Sequence, residues 1–213
     1  MNVSPSKENI LKKIRKALSA STPLPFPQAD KQTSFFQALN QEIEVEFAEQ
    51  FSKLQGKFIY CTNTQELASQ LNSLIRKQGW KKVFCNEQQL LPIIAQQPNE
   101  YFIDDDLPGC DVSVTGCEAL IARTGSIMMT SAQASGRTVS VYAPIHICIA
   151  FSNQLVYDVK DALQLVKDKY GEQLPSLITF ATGPSRTADI EKTLVIGVHG
   201  PKEVYCFLVD EGL

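Results

Sequence analysis

The stretch Lys57–Cys85, KFIYCTNTQELASQLNSLIRKQGWKKVFC, decides the fold class. Its first five residues form a short apolar run that reads as a buried strand. Thr62 to Gln78 reads as a helix, stopped at Gly79, and Lys82–Cys85 reads as a second strand. Glu87 to Gln97 is helical again, interrupted by Pro92. Strands alternating with helices specify a parallel sheet covered on both faces. Ligands of such sheets bind outside the carboxyl ends of the strands. No G-x-G-x-x-G follows the first strand and no Walker-type loop is present, so both nucleotide fingerprints are missing.

Towards the N-terminus the rhythm differs. Ser4-Pro5 is a helix start, and Ile10, Leu11, Ile14, Ala17 and Leu18 then recur at helical spacing. This short amphipathic helix packs on its own domain or on a partner subunit; its apolar face lacks the aromatics of a membrane-surface helix. Pro23, Pro25 and Pro27 alternate through an extended linker over residues 20–34. A second helix is expected from about Ser34 to Leu54, with Phe36, Leu39, Ile43, Phe47, Phe51 and Leu54 as its stripe. The expected division is therefore a helical leader over residues 1–54 and an α/β domain over residues 55–213.

Towards the C-terminus strands dominate. Asp111–Thr115 alternates like a strand, Gly116-Cys117-Glu118 makes a turn, and Ala119–Arg123 suits a short helix. Gly125–Thr130, Val139–Ala143 and Ile145–Phe151 read as strands, Leu155–Tyr170 as a helix and Ser176–Ala181 as a strand. A buried apolar run, Leu194-Val195-Ile196, and a final strand, Glu203–Val209, complete the chain.

The composition excludes several classes. A net charge of −3 gives no basic patch for nucleic acid. The longest nearly apolar run, Val139–Phe151, is too short to span a bilayer. The basic first twenty residues have no apolar secretory region, so a cytoplasmic location is expected. The six cysteines, scattered among apolar neighbours with no C-x-x-C pair, read as structural free thiols rather than cluster ligands or a disulfide framework. Asp104–Asp106 lacks the spacing of a calcium loop, and His146 with Cys148 falls short of a zinc set. No metal site is expected.

Four polar clusters carry the candidate chemistry: Thr115–Glu118, Arg123–Ser126, Ser135–Arg137, and the long stretch Ala181–Pro201. The guanidiniums of Arg123, Arg137 and Arg186 offer forked donors to a carboxylate or phosphate. Glu118 and Asp189 are candidate general bases, and Glu118 also a nucleophile. Asp189 serves equally well as a helix cap. His199 suits proton transfer near neutral pH or a purely structural role.

GPSRTADIEKTLVIGVHGP, from Gly183 to Pro201, resembles the C-terminal signature of the lactate-utilisation protein C family, the LUD-domain proteins. ARTGSIMMTSAQASGR, from Ala122 to Arg137, resembles that family's T-G segment and the G-R after it. Pro144-Ile145-His146 is similar to its P-x-H step. The likeness covers residues 55–210.

The resemblance implies a three-layer α/β sandwich with a mainly parallel sheet, similar to the ribose-phosphate isomerase, glucosamine-phosphate deaminase and CoA-transferase group. It implies partner proteins carrying iron–sulphur clusters, in a system oxidising L-lactate to pyruvate, and no cofactor in this chain. Matched positions carried over include Thr124, Gly125, Arg137, Ser185, Thr187 and Gly200, which with Arg186 make up the ligand-binding set. Glu118, Asp189 and His199 are the catalytic candidates. The expectation is an accessory subunit, a monomer or small homo-oligomer when isolated, with a small-anion pocket. The alternatives are a stand-alone enzyme acting on a sugar phosphate or CoA ester, and a non-catalytic sensor of lactate or a related acid.

Overall fold

A computed structural model of the chain describes residues 5–19, 41–94, 101–103, 105–187 and 195–210. Two compact units are present, Met1–Ala38 and Leu39–Leu213. The first holds helix α1 (Pro5–Leu18), with Glu8 in its first turn and Arg15 and Lys16 in its last. These charges oppose the helix dipole at both ends.

The second unit opens with α2 (Ile43–Lys53), shorter than the helix expected from Ser34; residues 34–40 lie outside the described set. Strand β1 (Lys57–Cys61) leads to α3 (Thr64–Gln78). The Asn63 side chain caps α3 by accepting from the Glu66 N–H at 2.9 Å, and Gly79 at φ 71° ends it. Strand β2 (Val83–Phe84) is followed by the single helical turn α4 (Leu91–Ile94), where Pro92 sits in the first turn and is tolerated. The helix expected over Glu87–Gln97 is thus cut to four residues among those described.

Strands β3 (Phe102–Ile103) and β4 (Val112–Thr115) come next, then β5 (Ala119–Ile121). The expected helix over Ala119–Arg123 is replaced by this strand and one 3-10 turn, Ala122–Thr124. All three β5 residues are fully buried, which favours a strand covered on both faces. Strand β6 (Ser126–Thr130) pairs antiparallel with it.

The expected strand over Val139–Ala143 is instead the short helix α5 (Val139–Tyr142). Val139 alone among its large apolar residues is buried, and Val141 and Tyr142 N–H groups both return to Thr138 O. Local hydrogen bonds win here because β4, the strand this segment packs on, is already paired on both edges. Pro144 precedes β7 (Ile145–Phe151). The expected helix over Leu155–Tyr170 divides into β8 (Leu155–Val156) and α6 (Val159–Tyr170), because Asp158 caps the helix and stops it extending backwards. The Arg123 guanidinium holds that cap, with Nε 2.8 Å from Asp158 Oδ2. The chain closes with β9 (Ile178–Ala181), the hairpin of β10 (Arg186–Thr187) and β11 (Val195–Ile196), and β12 (Glu203–Val209). The apolar run at β11 is not buried: Ile196 is 42% exposed, and Leu194 lies outside the described residues.

The fold is mixed α/β around a six-stranded parallel sheet of order β1-β12-β7-β4-β2-β3. Side chains of β7 and β12 alternate between two cores. Ile147, Ile149, Phe207 and Val209 meet Leu67, Leu71 and Ile75 of α3. Cys148, Ala150, Cys206 and Leu208 meet Phe47 and Phe51 of α2 and the second, four-stranded sheet of order β8-β5-β6-β9. Helix α6 covers that sheet's far side through Ala162 and Val166. All six cysteines are buried free thiols, and burial raises Cys61 and Cys85 to about 11.

Three glycines, Gly56, Gly125 and Gly183, lie against the C-terminal end of α2. Gly125 has φ +58°, and a Cβ there would stand 2.5 Å from Phe51 N. Gly125→Ala is expected to cost at least about 2 kcal/mol through backbone strain and displacement of α2. Urea unfolding monitored by circular dichroism checks this; an alanine variant as stable as the parent would show that α2 moves freely there.

Candidate functional site

The parallel sheet has a switch point. Strand β2 leads outward to β3, while β4 leads the other way to β7 and β12. The carboxyl ends of β2 and β4 therefore diverge and leave a crevice. A cavity of about 520 Å³ lies there, lined by Asn86–Gln89 after β2, Cys117 and Glu118 after β4, Gln154 after β7, Ala132–Ala134, and Lys169 and Tyr170 of α6.

Glu118 is held in this cavity by four hydrogen bonds. Its backbone N–H donates to Met128 O at 2.8 Å, continuing the β5–β6 ladder and fixing the carboxylate's origin. Oε1 accepts from Tyr170 OH at 2.6 Å and Thr130 Oγ1 at 2.9 Å, and Oε2 accepts from Lys169 Nζ at 2.8 Å. The Glu118 side chain is only 5% exposed. Burial pushes its carboxyl up, but the hydrogen bonds from Lys169, Tyr170 and Thr130 outweigh it and hold it below the usual glutamate range. Glu118 is thus a preformed, ionised carboxylate, able to accept a proton or orient a hydroxyl.

A second, smaller cleft of about 250 Å³ gathers the end of the Gly183–Pro201 stretch. Ser185, His199 and Gly200 line it with Ser140, Thr179 and Thr182. Two backbone bonds shape it: Ser185 N–H to Pro201 O and Gly197 N–H to Ser185 O, each 2.9 Å. A Cβ on Gly200 would stand 3.0 Å from Ser185 Cβ, so the two segments touch through glycine. His199 is exposed.

The remaining candidates are elsewhere. Thr124 Oγ1, Ser126 Oγ and Thr182 Oγ1 form a hydroxyl chain with links of 2.8 and 2.9 Å. Gly125 faces the backbone of α2, and Arg186 Nη2 donates to Leu54 O at 2.8 Å just beyond that helix. Thr187 pairs with Val195 in the hairpin. Arg137 is exposed, donates to Ser176 Oγ at 2.6 Å and lines neither cavity. Asp189, with Glu191, lies outside the described residues. His146 is fully buried, with Nε2 2.8 Å from Thr115 Oγ1, and burial lowers its pKa to about 4, so it is neutral at physiological pH. Among the described residues no cluster of histidine, cysteine or carboxylate side chains has the form of a metal site, and no helix is long and apolar enough to cross a membrane.

Asn86, Glu87, Lys169 and Tyr170 were not legible as site residues. Lys169 and Tyr170 sit on a charged helix face that reads as solvated. The Asn86-Glu87 pair carried a usable signal, since it directly follows a parallel strand at its carboxyl end.

An α/β protein with a buried, hydrogen-bonded carboxylate at a sheet switch point is the class that the geometry defines. The LUD domain model matches residues 45–209, and the chain belongs to that family. That span begins inside α2. The chain is similar to Lactate utilization protein C of Macrococcus caseolyticus, 26% identical over 95% of this chain and 94% of the relative. It is 27% identical to the protein of that name from Anoxybacillus flavithermus, over 85% of this chain and 87% of the relative. The match to the Shouchella clausii protein of that name is 37% identical but covers 47% of this chain and only 44% of the relative's length. A crystal structure of a DUF162 family protein from Deinococcus radiodurans shares the fold, with a TM-score of 0.58 and 19% identity over 81% of this chain and 99% of that one.

The depressed pKa of Glu118 stabilises the fold above the unfolded value near 4.5, and that contribution is lost as pH falls through the lower folded value. Glu118→Gln is expected to lower stability at pH 7 and to flatten its decline below about pH 4.5. Thermal midpoints of both proteins across the acid range check this; parallel curves would mean that the carboxylate is not held ionised.

Proposed function

We propose that this LUD-domain chain serves lactate utilisation in the cytoplasm. In this reading it is an accessory subunit that holds a small organic anion while iron–sulphur proteins partnered with it carry the electrons. The process is the one named for its relatives, and two of them align over most of both chains. The observation that carries the anion assignment is the cleft at Ser185 and His199. Its side chains supply four hydroxyls and an imidazole, and among the described residues no carboxylate lines it to repel an anion. Its volume suits a three-carbon acid with a few waters. An acid's carboxylate would accept from the His199 ring N–H and from Ser185 Oγ.

Glu118 favours a second reading, a self-sufficient enzyme using an ionised carboxylate as base. Turnover by the isolated chain, lost in Glu118→Gln, separates this reading from the subunit and from a sensor that binds without product.

The direct test is isothermal titration with L-lactate and pyruvate. A hydrogen bond to a charged acceptor contributes about 1.5–3 kcal/mol, so His199→Ala and Ser185→Ala are each expected to weaken binding about tenfold or more. Binding unchanged in both variants, or absent from the parent both alone and with co-purified iron–sulphur proteins, would refute the assignment.

A further inference from the structure

The switch-point cavity has a lining that an anion cannot use well. Glu118 and Glu87 both stand in its wall, and Lys169, the only Lys or Arg there among the described residues, is engaged by Glu118 at 2.8 Å. Glu87 is 3% exposed, with Oε1 accepting from Ser135 N–H at 3.3 Å. Asn86 Nδ2 donates to Ala134 O at 2.8 Å, while its buried Oδ1 has no donor among the described residues. Opposite needs are present as well. Gln133 Oε1 is taken by Thr130 N–H at 2.8 Å. Its amide nitrogen and that of Gln89 lie 3.9 and 3.6 Å from where a Gly116 Cβ would stand, so glycine keeps the space before both donors open.

A lining with hungry acceptors beside free amide donors selects its ligand by chemistry. An anion meets two carboxylates and one neutralised lysine. An apolar ligand leaves Asn86 Oδ1 dry and unpaired. A hydroxyl donates to one wall atom while accepting from the next, so several hydroxyls in a row satisfy both kinds of group.

We propose that this cavity is a second binding site, for a neutral polyhydroxylated molecule such as a sugar or polyol without phosphate or carboxylate. Asn86, Glu87 and Glu118 accept its hydroxyls, and Gln89 and Gln133 donate to them. At about 520 Å³ the cavity takes a molecule of monosaccharide size with ordered water. The site is separate from the Ser185–His199 cleft, and either assignment stands without the other.

The test is isothermal titration of the full chain with D-glucose, D-ribose, sorbitol and glycerol, alongside glucose 6-phosphate and gluconate. Titration is required because polyols raise thermal midpoints by exclusion from any protein surface, without a site. Saturable binding of at least one neutral compound is expected, with its anionic counterpart weaker by about tenfold or more. Asn86→Leu and Gln89→Ala are each expected to weaken the neutral ligand several-fold, Glu87→Gln to narrow the gap between neutral and anionic ligands, and His199→Ala to change nothing. Gln89 is exposed, so its variant keeps the test valid if Asn86→Leu fails to fold. Equal or tighter binding of the anions, no saturable binding of any neutral compound, or indifference to all three cavity variants would overturn the proposal. Failure of lactate to bind would not, because that result concerns the cleft.

Discussion

The close approach of α2 to two loops is the constraint on which the packing of Leu39–Leu213 depends. Phe47 and Phe51 stack at 5.4 Å between the parallel sheet and the smaller one, and both are fully buried. Each such ring removed from water contributes about 1.5–3 kcal/mol, so this pair alone rivals a large part of a domain's net stability. The rings reach that depth only because the helix backbone comes down onto Gly125 and Gly183. A Cβ on Gly183 would stand 2.5 Å from Leu54 O, an oxygen that also accepts from Arg186. Gly125 follows β5 and Gly183 follows β9, so one helix end fixes both loops of the smaller sheet.

That arrangement explains why part of the sequence was easier to recognise than to interpret. The T-G and G-P-S-R segments are small, polar and turn-forming, which is also how a ligand loop looks. In the structure Gly125, Gly183 and Arg186 contact the end of α2. From the sequence alone, a glycine needed for a close neighbour cannot be told from one needed for a ligand, because both demand a missing side chain. His199 and Ser185 were legible as candidates because polar groups at turns stand out. Their meeting across a cleft depends on backbone bonds between loops that no local pattern records.

The fold was legible where burial and periodicity agree. The parallel sheet follows from KFIYC, VSVT, IHICIAF and EVYCFLV, apolar runs too short for helices. The errors fall where a short segment's partner decides its state. ALI in β5 became a strand because β6 and β8 flank it, and VSVY in α5 became a helix because β4, the strand it packs on, is already paired on both edges. Glu118 was visible as a carboxylate on a turn. Its partners Lys169 and Tyr170 come from a helix some fifty residues later, and only the stacking of α6 on the smaller sheet brings them together.

Strand β6 stands between the two pockets and ties their geometry together. Met129 lines the cleft, while its neighbour Thr130 donates to Glu118 beside the cavity. Successive residues of a strand point to opposite faces, so one strand serves both sites without sharing a side chain. Its register is therefore doubly fixed: Met129 pairs with Thr179 and Thr130 with Ile178 of β9. A slip by one residue would send the thioether towards Glu118 and the hydroxyl into the core. The buried carboxylate would lose a donor and the core a well-packed side chain, two penalties of different origin that select the same register. The pockets can thus differ in charge and lining while their relative position is set by a single rigid element.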